Sequence, residues 1–190
     1  MLKFKKYYLF IDNSSNINFS DLKINHKFSI IYRDNCKKEN FYHINKIRNI
    51  CKLKRAKFYV ANNIMLATKI KADGLYISAW NHKPYFSTNF VFKKNIIGSC
   101  HNYRDLNHKL KQGCSLLILS RIFKTGYENK KNFLGIIRFN LFTQKFKKPF
   151  TALGGIKKNN IKSCQLLNCF GIALYSEIKK KPVKFFNRLF

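Results

Sequence analysis

Residues able to hold anions or move protons recur along the chain, each set close behind a brief apolar run. Arg33 and Asp34 follow "FSIIY", Asn62 and Asn63 follow "FYVA", and Asn81 stands just beyond "LYIS". Ser99 and His101 close "NIIGSCH", Ser120 and Arg121 follow "LLIL", Gly154 and Gly155 follow "FTAL", and Ser176 follows "IALY". An arginine at a strand end can grip phosphate through two parallel N–H bonds, although an ion pair with Asp34 is the plainer use of Arg33. A histidine titrates near neutral pH, so His101 could carry a proton between two positions of a substrate; bonding to backbone is the ordinary alternative. The Gly154–Gly155 pair could aim backbone N–H groups at an anion beside a helix start, or form a tight strand-to-helix turn.

The elements that must position these residues are legible in the apolar pattern. Short runs at Tyr8–Ile11, Phe28–Tyr32, Phe58–Ala61, Leu75–Ser78, Asn95–Ser99, Leu116–Leu119, Phe150–Leu153 and Ile172–Tyr175 predict eight strands. Between them Ile44, Ile47 and Cys51 share one helix face, as do Ile64, Ala67 and Ile70, and Ile161, Cys164 and Leu167 form a third stripe. Strands alternating with helices imply a parallel sheet buried on both faces. Eight units predict an α/β chain closed into a (β/α)8 TIM barrel, whose active site would lie at the C-terminal strand ends. The polar sets stand at those ends. With 190 residues the barrel is short, so several helices must be curtailed, above all after strands one, four and eight. An open doubly wound sheet is the alternative.

Composition supports one domain over residues 1–190: 46% hydrophobic and 16% aromatic residues argue against disorder, and no internal linker divides the chain. The net charge of +30 invites a nucleic-acid partner. That reading is disfavoured, because the lysines are spread without one basic block and no RNA- or DNA-reading motif accompanies them. Abundant Lys, Asn, Ile, Phe and Tyr also fit AT-rich codon use. Small phosphorylated substrates would be drawn by the same field, and homodimerisation is left open. No apolar run approaches membrane-spanning length, and "MLKFKKYYLFIDN" carries no small-residue cleavage site, so a cytoplasmic location is expected. The six cysteines form no C-x-x-C pair and fit reduced core thiols. "KKKPVKFFNRLF", residues 179–190, is expected to dock as the last barrel helix.

Taken in order, the strand ends resemble those of the thiamine phosphate synthase and thiazole tautomerase superfamily. "ADGLY" at Ala72–Tyr76 resembles its A-D-G-V-H, and "IGSCH" at Ile97–His101 resembles G-x-S-x-H with Ile97 replacing the glycine. "SRIFKT" at Ser120–Thr125 resembles G-P-x-F-x-T. "PFTALGGIKKNN" followed by "GIALYS" resembles P-x-x-A-x-G-G-I, Asn, then G-x-A-x-x-S. No one motif is specific alone; their order and spacing together are.

The resemblance implies a magnesium-dependent transferase of thiamine biosynthesis that joins hydroxymethylpyrimidine pyrophosphate to a thiazole phosphate and releases pyrophosphate. It implies that Arg33 and Ser99 contact the pyrophosphate or pyrimidine, and that Thr125, Gly154, Gly155 and Ser176 hold the thiazole phosphate. It places Asn62 and Asn81 on the family's two metal-binding aspartates, so a Mg2+ held there would lack their negative charge. Further departures are Ile31 for a glutamine, Asn35 for a lysine, Tyr127 for a threonine and Glu128 for a lysine, for which Lys130 or Lys131 could substitute. His101 matches the acid/base histidine of the tautomerase branch, and the synthase branch carries it too. Two alternatives to the synthase therefore stand: a tautomerase using His101, and a catalytically quiet barrel that binds a phosphorylated ligand or RNA.

Overall fold

The computed structural model describes residues 4–12, 24–33, 40–84, 95–126 and 132–175. Eight strands close in sequence order into one barrel: β1 (Lys6–Ile11), β2 (Phe28–Tyr32), β3 (Lys57–Ala61), β4 (Gly74–Ile77), β5 (Ile96–Cys100), β6 (Leu116–Ser120), β7 (Phe150–Leu153) and β8 (Gly171–Leu174). Every neighbouring pair is parallel, and β8 returns to pair with β1 through Lys6 and Gly171. All eight predicted strands are present, two with the expected ends and the rest with an end shifted by one or two residues. Closure leaves no sheet edge, which excludes the open doubly wound sheet.

Side chains alternate across the sheet as the strand period requires. Tyr8, Phe10, Ile31, Tyr59, Tyr76, Ile97 and Ile118 fill the barrel interior, while Tyr7, Leu9, Phe28, Ile30, Phe58, Leu75 and Leu117 face the helices. Outside lie α1 (Phe41–Leu53), α2 (Ile64–Lys69), α3 (Tyr103–Lys111), α4 (Gly135–Gln144) and a 3-10 segment, Ile161–Leu166. Ile44 and Ile47 of α1 are buried against the barrel, each contributing about 1.5–3 kcal/mol of apolar burial before entropic costs.

Three helices begin on asparagine. Asn40, Asn63 and Asn102 each accept the N–H three residues on, at 3.0, 2.9 and 2.9 Å, replacing a bond the first turn lacks. The Ile161, Cys164 and Leu167 stripe is buried as predicted, but on 3-10 turns. Its spacing of three matches the three residues per turn of that helix better than an α-helix. α2 is curtailed to six residues. The shortened connections expected after strands one, four and eight, and the segment 179–190, lie mostly or wholly outside the described residues.

Candidate functional site

The mouth at the C-terminal strand ends is built in two groups on opposite sides of the barrel. On the β2–β5 side, Arg33 continues β2, its N–H donating to the Ile11 carbonyl at 2.8 Å. Tyr76 of β4 is fully buried; burial pushes its hydroxyl pKa up, while a hydrogen bond with Ser99 and the charge of Arg33 pull against that rise. Arg33, Tyr76 and Ser99 therefore converge on one inner wall. Phe10 and Tyr76 meet edge to face at 5.2 Å, Phe10 and Tyr175 at 6.3 Å, and the Tyr175 hydroxyl donates to Asp12 at 3.2 Å. The barrel interior below the mouth is thus floored by buried aromatic rings, with Arg33 and Ser99 beside Tyr76.

Asn62 and Asn81 come together beside this wall, as their placement on one cation site requires. Asn62 adopts a left-handed turn with φ of 59°, a conformation asparagine tolerates. Its Oδ1 accepts the Ser78 N–H at 2.9 Å and the Asn81 Nδ2 at 3.1 Å, while its Nδ2 donates to Ser78 Oγ at 2.9 Å. Asn81 Oδ1 accepts the Lys83 N–H at 3.1 Å. Backbone N–H groups can only donate, so both amide oxygens are fixed in these orientations. As holders of Mg2+ the pair does not fit: the oxygens expected to coordinate it face the positive ends of N–H dipoles, and neither residue brings a charge. Among the described residues no cluster of three His, Cys, Asp or Glu could hold a metal ion.

On the β6–β8 side the two glycines are required by space. Gly154 has φ of 101° and Gly155 of 68°. A Cβ on Gly155 would stand 2.5 Å from the Phe123 carbonyl oxygen and 2.6 Å from that of Lys124. Phe123 N–H donates to Gly154 O at 3.0 Å, so the segments after β6 and β7 are joined here. Thr125 is brought beside the pair, and its Oγ1 is buried without a hydrogen-bond partner. A buried hydroxyl left unpaired costs about 1–3 kcal/mol, and a bound phosphate oxygen would satisfy it. Ser176 and Lys130 lie outside the described residues.

His101 stands between the groups, at the end of β5. Its Nδ1 is 3.0 Å from the Ser120 carbonyl oxygen and 2.9 Å from Ser120 Oγ. A carbonyl only accepts, so Nδ1 carries the proton and Nε2 of the neutral ring is the basic atom. His101, Ser120 and Arg121 line an open cleft of about 1330 Å3 bounded by the start of α4. Tyr76 and Lys109 were given no role from sequence, and Arg121 only a place among the polar residues at the strand ends. Arg121 alone carried a signal, a cation directly after an apolar run.

A closed parallel barrel with its polar and glycine residues gathered at the C-terminal strand ends defines the (β/α)8 class that handles small ligands at that face. The sequence model of thiamine monophosphate synthase matches residues 23–178, and the chain belongs to that family. Thiamine-phosphate synthase of Prochlorococcus marinus (strain AS9601) is 29% identical over 134 residues, which are 70% of this chain and 38% of that protein. The chain thus spans about two-fifths of the length of that relative. Thiamine-phosphate synthase of Flavobacterium johnsoniae is 26% identical over 160 residues, 80% of this chain and 76% of that protein. In fold the chain is similar to thiamine phosphate pyrophosphorylase from Pyrococcus furiosus, with a TM-score of 0.75 at 20% identity over 96% of this chain and 91% of that one. KGPDC from Streptococcus mutans shares the fold with a TM-score of 0.66 at 12% identity, over 96% and 93% of the two chains. Among the described residues no helix is long and apolar enough to cross a membrane.

Proposed function

We propose that the chain is a thiamine phosphate synthase, condensing hydroxymethylpyrimidine pyrophosphate with a thiazole phosphate. The observation that carries the reading is the facing of two groups across one mouth. Arg33 and Ser99 stand beside the aromatic floor that Phe10 and Tyr76 form, and Thr125 stands beside the glycine pair. The pyrimidine lies on the floor with its pyrophosphate towards Arg33, and the thiazole phosphate occupies the Gly154–Gly155 side. Breaking the methylene C–O bond sends its electron pair onto pyrophosphate, and the thiazole nitrogen lone pair forms the new C–N bond. Arg33 stabilises charge that grows on the departing group, an interaction stronger in the transition state than in the ground state. Holding both reactants at one mouth removes much of the entropic barrier to their meeting. Purified chain given both substrates is expected to form thiamine phosphate; no product above a protein-free control, in EDTA or in magnesium, defeats the reading.

A second reading draws on His101, whose anchored Nδ1 leaves Nε2 as a base lining the cleft. It predicts isomerisation of a thiazole carboxylate phosphate, abolished in His101→Ala. Isomerisation that survives the substitution removes it.

A further inference from the structure

The end of the barrel opposite the mouth gathers lysines. In a closed parallel barrel every strand starts at this one end. Lys5 precedes β1 and Lys6 opens it, Lys27 precedes β2, Lys57 opens β3, and Lys148 stands just before Pro149 and β7. Because β7, β8, β1, β2 and β3 are successive neighbours, these lysines form one arc over five strands, about 20 Å long at the usual inter-strand spacing. Lys52, Lys69 and Lys111 end α1, α2 and α3, where each meets the negative end of a helix dipole. Strand starts carry no comparable dipole, so the arc has no such cause. Burial, and then the charge of Lys57, hold the Lys6 pKa below the ordinary 10.5; the arc is kept against its own repulsion. Among the described residues the carboxylate at this end is Asp73, whose Oδ2 accepts the Phe58 N–H at 2.8 Å.

Between the β7 and β1 ends of the arc the same face opens a pocket of about 420 Å3. Phe146, Phe150 and Phe170 line it together with Lys5 and Lys148. Both lysines are exposed, and Phe146 and Phe170 are half-buried. The rings are held in place: Phe146 meets Phe142 at 5.7 Å and Phe150 at 6.1 Å, and the Phe170 N–H donates to Phe150 O at 2.7 Å. Gln144 and Asn168 add amides to the wall. Fixed rings among cations suit a planar base joined to phosphate. The amides can pair with the edge of a base and offer nothing to an acyl chain. A base stacked inside a duplex cannot enter such a pocket, whereas an unstacked one can.

We infer that the lysine arc and the phenylalanine pocket at the N-terminal strand ends form a binding surface for single-stranded nucleic acid, with phosphates along the lysines and one base seated in the pocket. Along the sequence these lysines make no basic block; barrel closure assembles one. The surface lies at the opposite end from the mouth, and the inference does not rest on the synthase reading.

The test is fluorescence anisotropy of a labelled oligouridine of about 12 nucleotides, titrated with the full chain over a range of salt. Lys5→Gln combined with Lys148→Gln should weaken binding about 10-fold or more and flatten the slope of log affinity against log salt by about 1.4, two phosphate contacts' worth. The control is Lys46→Gln combined with Lys162→Gln, which removes the same charge from two exposed lysines of α1 and the 3-10 segment. It should weaken binding less than about 3-fold. Phe146→Leu, which keeps an apolar side chain and loses the ring, should weaken it about 5-fold or more. No binding at low salt, or equal weakening by the two double variants, overturns the inference. So does wild-type affinity in a folded Phe146→Leu, or equally tight binding of a duplex of the same length. If Phe146→Leu does not fold, the two lysine pairs and the duplex decide. Vesicles of phosphatidylserine and phosphatidylcholine form the last arm: capture that needs Lys5 and Lys148, without oligouridine binding, assigns the face to a membrane and overturns it.

Discussion

Lys109 Nζ lies 2.6 Å from the Asn81 carbonyl oxygen, buried between α3 and the segment after β4. Gln112 joins the contact, accepting from Lys109 Nζ at 2.8 Å and donating to Asn81 O at 2.9 Å and Lys83 O at 2.7 Å. Because the Asn81 side chain reaches Asn62, a helix outside the barrel sets the position of two residues at its mouth.

Burial holds the Lys109 pKa below the ordinary 10.5. The charged form is therefore less favourable in the folded chain than in the unfolded one. That cost is present at neutral pH and fades as pH rises through the folded pKa towards 10.5. Lys109→Met has no such dependence. The melting temperature of wild type minus that of the variant should climb over this interval; a level or falling difference contradicts the assignment.

Gly155→Ala would force a side chain into a left-handed residue and against two carbonyl oxygens. We expect a loss of about 2 kcal/mol or more in denaturant unfolding. In the folded fraction the KM for thiazole phosphate should rise more than kcat falls, because the substitution separates Thr125 from the glycine pair. Unchanged stability and KM would show that the segments are not joined there.

Burial raises the thiols of Cys51, Cys100, Cys114 and Cys164 to about 12 each. At pH 8 only about one in ten thousand of each is thiolate, so all four should resist iodoacetamide in the native chain and react in urea. Peptide mapping after labelling checks this residue by residue. Equal labelling in both states at any of them would count against its burial.

A net charge of +30 draws anionic substrates from a distance. The kcat/KM of the coupling reaction should fall as salt is raised from low to physiological ionic strength, with kcat little changed. Salt independence would mean that the field at the mouth is locally neutralised.

Much of the barrel was written in local pattern. Runs such as "LLIL" and "FTAL", with helix stripes between them, specify buried strands and one-sided helices, because apolar period is set by neighbours along the chain. The motif order located the mouth for the same reason: each set directly follows its strand. Ile161 to Leu167 marks the edge of that legibility, since its buried stripe was evident and its turn type was not.

What the sequence by itself determined is which strand end each polar residue occupies. What only the tertiary structure decided is what each one faces. Lys109, in "NHKLKQG", is buried, because closure brings the segment after β4 over it. Asn62 and Asn81 read as neutral stand-ins for metal ligands, yet their amide oxygens accept backbone and amide N–H groups contributed by the strand-four side. Arg121 reads as one cation among many, and becomes distinctive only where Gly154 packs on its stem and leaves Nη1 buried without a partner. Hydrogen bonds are directional and reach only about 3 Å, so their partners depend on how the closed barrel sets separate loops side by side, which no local period encodes.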